Sequence, residues 1–72
     1  MYKLWQTQYT DGSVKVETVI RLADNAFIPF NPANTDYQNF KAQILADEAQ
    51  LEDVDGNVMS PEAAKEYVRS LP

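Results

Sequence analysis

The sequence predicts an α+β fold: an N-terminal antiparallel β-hairpin, a proline-rich connector, and two short helices packed on one hairpin face. Three observations predict it. Asp11-Gly12 separates two stretches rich in β-branched and aromatic residues, a strong hairpin signal. Pro29 and Pro32 then interrupt the chain and forbid a regular helix there. Beyond them, apolar residues recur at intervals of three and four behind residues suited to helix caps.

The hairpin covers 2–22. A two-residue turn at Asp11-Gly12 places Tyr9 opposite Val14, Thr7 opposite Val16, Trp5 opposite Thr18, and Lys3 opposite Ile20. The opposite face pairs Gln8 with Lys15, Gln6 with Glu17, Leu4 with Val19, and Tyr2 with Arg21. The first face carries the aromatic and β-branched pairs that stabilise sheets. An isolated hairpin is marginal in water, so the Trp5–Val16 face is expected to be covered, in part by the chain's own helices. The free strand edges can pair with another chain.

The connector spans 23–34. Phe27, Ile28 and Phe30 are expected to pin it on the core, with a short strand at Phe27-Ile28. Each proline drives the residue before it toward extended geometry. The first helix spans 35–49, capped by Asn34 or Thr35, with Gln38 placed to reach back and Asp36 favourable to the helix dipole. Tyr37, Phe40 and Ile44 form its apolar stripe. Residues 50–59 hold a second Asp-Gly turn or mini-hairpin. The second helix spans 60–71, with Ser60 as N-cap, Pro61 at the first position, and Ala64, Tyr67, Val68 and Leu71 on one face.

Seventy-two residues set a single domain, 1–72, and a chain of this size buries only about 60% of its unfolded surface. Support usually comes from disulfides, a metal or a partner. With no Cys and no His, disulfides are excluded, and the usual zinc and copper sites lose their main ligands. A partner or self-association is left. The net charge of −5 with six scattered basic residues argues against nucleic acid and against anionic membranes. The absence of a long apolar run argues against a spanning helix or a signal peptide, and the chain is expected to be soluble and made in the cytoplasm.

Catalysis has little to stand on. Without His there is no ordinary base near neutral pH, and without Cys no thiol nucleophile. Carboxylate pairs such as Asp47/Glu48 or Asp53/Asp55 read as solvated surface. No enzyme activity and no cofactor are expected. Asp53-Val54-Asp55-Gly56-Asn57 matches the first positions of a calcium-binding EF-hand loop, with Asp53, Asp55 and Asn57 as oxygen ligands. The pattern then breaks: Val58 stands where a glycine is needed and Ala64 where the bidentate Glu belongs. An Asp-rich β-turn, with at most weak calcium binding, is the simpler reading. The residues expected to meet a partner are Trp5, Thr7, Tyr9, Val14, Val16, Phe27 and Phe30, since they gather on the apolar hairpin face and the connector.

One segment carries a resemblance. Ile28-Pro29, followed by Pro32-Ala33-Asn34-Thr35-Asp36-Tyr37 and Phe40, resembles a segment recurring in small proteins and fibre-associated domains of tailed bacteriophages. The stretch from Val19 to Phe40 resembles them best, and Asp53 through Val68 resembles small phage reading frames. Typical members carry a Trp and Gly-Asn-Thr-Pro after the helix, where this chain has Ile44-Leu45-Ala46-Asp47. The resemblance implies a small virion component, bound to a capsid, tail or fibre protein or to copies of itself, made in the host cytoplasm and carried in the virion. A transient tail-fibre assembly helper and a weak calcium-binding interaction module are the alternatives. It brings no catalytic residue.

Overall fold

A computed structural model describes residues 1–71; Pro72 lies outside the described residues. The chain runs through strands β1 (Tyr2–Gln8), β2 (Val14–Arg21) and β3 (Ala26–Pro29), helix α1 (Thr35–Leu45), strand β4 (Leu51–Glu52) and helix α2 (Pro61–Arg69). They form a mixed four-stranded sheet in the order β3-β2-β1-β4, with both helices on one side. The fold is α+β.

The first turn differs from expectation. Tyr9 N–H donates to Ser13 O, Gly12 N–H donates to Tyr9 O, and only Gly12, at φ 89°, is left-handed there. This is a three-residue loop with a glycine bulge, not a two-residue turn with positive φ at both centres. The cause is Asp11, whose carboxylate accepts from both the N–H and the hydroxyl of Ser13 and so favours an ordinary turn. The register near the tip is therefore shifted by one: Gln8 faces Val14, Thr7 faces Lys15 and Gln6 faces Val16. A bulge between the Trp5 and Gln6 pairs absorbs Glu17 and restores the expected pairing from Trp5–Thr18 to Tyr2–Arg21.

The shift has a large consequence for Val16. Because opposed residues share a face, Val16 moves to the side of Gln6 and Leu4, where it packs on the core. That side, not the Trp5–Thr7 side, is the one the helices cover. Leu4 and Val19 are extended laterally by Ile28 of β3 and Leu51 of β4. The result is an apolar floor four strands wide, whereas the other side interleaves its aromatics with Lys3, Thr7, Lys15 and Thr18. Tyr37, Phe40 and Ile44 of α1 and Ala64 and Val68 of α2 close the floor.

The helix starts follow the cap residues. Asn34 Oδ1 accepts from Tyr37 N–H at 3.1 Å, and Ser60 Oγ accepts from Ala63 N–H at 3.2 Å. Gln38 reaches past the cap and donates to Pro32 O, fastening the connector to α1. Helix α1 ends at Leu45, short of the expected 49. Asp47 takes φ 59°, its N–H donates to Ile44 O, and Glu48 N–H donates to Gln43 O, the two bonds of a Schellman ending. The usual glycine signal is absent, which hid the stop.

Strand β3 is longer than the expected Phe27-Ile28 piece and pairs with β2 from Thr18–Pro29 to Arg21–Ala26. Asp24 binds Arg21 and accepts from Ala26 N–H, with Asn25 at φ 56° completing the reversal. The 50–59 mini-hairpin forms through a Glu52–Val58 bridge. Its first strand, β4, also joins β1 in parallel, which local sequence does not disclose.

Candidate interaction surface

The uncovered face of the sheet takes Lys3, Trp5 and Thr7 from β1, Lys15, Thr18 and Ile20 from β2, and Phe27 and Pro29 from β3, as strand alternation and register dictate. Its centre is aromatic. Trp5 and Phe27 meet edge to face at 5.3 Å, 85° between planes, yet Trp5 is 44% and Phe27 60% exposed. Ile20, opposite Phe27 in one pairing and Lys3 in the other, is buried at 8% although it is not part of the core cluster. This is a small, half-dry apolar platform with Thr and Lys around it.

Of the seven residues expected to meet a partner, the structure brings Trp5, Thr7 and Phe27 together here. Tyr9 lies at the tip of the same face, where residues 8–15 are all exposed. Its hydroxyl donates to Glu17, which raises its pKa chiefly through that hydrogen bond, and Lys15 lies 5.7 Å from its ring. Three residues go elsewhere. Val14 is exposed at the tip but on the helical side. Val16 packs against the core, for the reason given above. Phe30 packs its ring against Tyr37 at 5.4 Å and Phe40 at 6.4 Å, because the chain leaves β3 at Pro29 and turns under α1. Phe30, partly buried, therefore packs against the core on the helical side instead of joining the outer face. Lys3, Thr18 and Ile20 join the face; the paired register Lys3–Ile20 and Trp5–Thr18 was the signal for them.

One strand edge adjoins this face. Tyr2 N–H points to Gln50 O on the β4 side, whereas Tyr9 N–H points to β2. Alternation therefore turns the backbone groups of Gln6 and Gln8 to the side where β4, paired only with Tyr2 and Lys3, has already ended. The opposite edge, β3, ends in Pro29, which has no N–H to offer.

The Asp-rich turn is self-contained. Asp53 Oδ1 accepts from Asp55 N–H at 2.9 Å and Asn57 N–H at 3.0 Å, and these bonds, led by that from Asn57, hold its pKa below the ordinary value. Among the described residues no three acidic side chains converge on a point that could hold a metal ion. Nor is any charged residue among the described residues buried. No helix among the described residues is long and apolar enough to cross a membrane. A scan against protein-family models, a search of the curated proteins and a search of the solved structures find no match to this chain.

Proposed function

We propose that this chain is a non-enzymatic structural component of a bacteriophage virion, docking on a larger virion protein through the outer face of its sheet. The observation that carries the docking is the solvent-exposed Trp5–Phe27 pair. Large aromatics are enriched in interface centres and supply most of the binding free energy there. A ring of Thr and Lys around such a pair suits the polar rim that surrounds an anchor of this kind. The small core points the same way, since a chain of this size gains from a partner. The virion itself rests on the resemblance of the Ile28–Phe40 segment to small tailed-phage proteins.

Mass spectrometry of purified particles tests the reading. Stoichiometric presence in the particle, lost in a folded Trp5→Ser/Phe27→Ser variant, supports it. Absence from particles alongside presence in the infected lysate overturns the virion assignment. Incorporation of the double variant at the normal level overturns the assignment of the outer face. Trp5 is the only tryptophan, so its emission also reports docking directly.

A further inference from the structure

A second surface lies on the helical side, away from Trp5 and Phe27. A cleft of about 310 Å³ opens between the end of α1, β4 and the start of α2. Ile44, Leu51 and Ala64, all buried, form its floor. Val58, 55% exposed, forms an apolar lip. Asp47 and Glu48, both exposed, also line it. The volume is at the lower limit for small-molecule sites and suits one large side chain.

Acidic groups outnumber basic ones at the mouth. Helix α1 delivers the negative end of its dipole here, and its last turn carries no basic residue. The Schellman ending then projects two acids in succession at that same end, the first of them, Asp47, in a left-handed conformation that glycine adopts far more readily. Lys65 is 2.7 Å from Asp47, while Glu48 has no ion-pair partner among the described residues. The N-terminus of α2 also faces the cleft, but Glu62 in its first turn offsets that positive end.

We infer that this cleft is a binding site for a single large apolar side chain of a partner polypeptide flanked by Lys or Arg. The apolar floor takes the side chain and Glu48, the acid at the mouth without an ion-pair partner among the described residues, takes the neighbouring cation. This site is independent of the outer-face docking, so the failure of either leaves the other standing.

The test is an NMR titration of the full chain with N-acetyl-Lys-Phe-Lys-amide and, separately, N-acetyl-Glu-Phe-Glu-amide at low ionic strength. The expected result is saturable shifts of the Ile44, Leu51 and Ala64 methyls with the cationic peptide and about tenfold weaker binding of the acidic one, since like charges placed together are strongly disfavoured. Glu48→Lys, at an exposed position, should narrow or invert that preference. The Trp5→Ser/Phe27→Ser variant should bind as the parent does. Absence of saturable shifts, equal binding of the two peptides, an unchanged preference in Glu48→Lys, or shifts centred on Trp5 and Phe27 would each overturn the inference.

Discussion

Phe27 and Phe40 offer the same chemical change on opposite sides of one sheet. Phe40 is fully buried, with Tyr2 edge-on at 4.9 Å and Phe30 and Tyr37 both at 6.4 Å. Truncation to alanine removes that ring from a site three aromatic neighbours cannot refill, and such changes cost about 3–5 kcal/mol. Phe27 is 60% exposed. Its truncation uncovers little area, worth about 1 kcal/mol, and breaks one edge-to-face contact worth about 0.5–1.5 kcal/mol. The expected cost is about 2 kcal/mol. A chain of this size has a total stability of roughly 4–11 kcal/mol, so Phe40→Ala should leave a barely folded protein and Phe27→Ala a folded one. Urea denaturation followed by far-UV circular dichroism measures both, with an unchanged slope as the sign that the same transition is compared. A cost for Phe27→Ala equal to or above that of Phe40→Ala would refute the reasoning: the outer face would then be core, with nothing spare for a partner.

Other expectations concern turns, caps and charge. Asp11→Gly should lower the thermal midpoint, because it deletes the two bonds from Ser13 at a position that does not need positive φ; a raised midpoint would restore the two-residue turn. Ser60→Ala removes the bond to Ala63 N–H and should cost about 1 kcal/mol, a fall of about 4–8 °C in Tm for a domain of this size. An unchanged Tm would show that the cap contributes nothing. Asp11, Asp24 and Asp53 are all held below the ordinary 3.8, chiefly by bonds from Ser13, Arg21 and Asn57 respectively. Their folded pKa values are depressed, so they add stability above that value and lose it as pH falls through the folded ones. The urea midpoint should therefore drop on acidification below about pH 4 and drop less in the Asp11/Asp24/Asp53→Asn variant; the same acid profile in both would remove these carboxylates from the account.

Much of the fold is legible because its signals are local. Ser60-Pro61-Glu62 starts a helix by its own hydrogen bonding and fixed φ. Asn34 does the same for α1, and Tyr37, Phe40 and Ile44 declare their shared face by spacing alone. The open half of the hairpin is legible for a related reason, since a slip would turn Leu4 and Val19 away from the core. The tip misleads because Asp-Gly suits two kinds of turn, and the side-chain bonds of Asp11 decide between them. The candidate surface is legible in part. Trp5, Thr7 and Phe27 follow from alternation, but Val16 needed the Glu17 bulge and Phe30 needed the path of the chain under α1.

What the sequence determines by itself is the set of elements, their caps, and the pairing of the hairpin's open end, because each depends on neighbours within a few residues. Which side of the sheet becomes interior is decided only in three dimensions. Leu51 arrives from thirty-two residues beyond Val19 and Ile28 from across a turn, and together they make the Leu4 side the wider apolar floor. The helices bury more area there, and Trp5 and Phe27 are left in water on the other side.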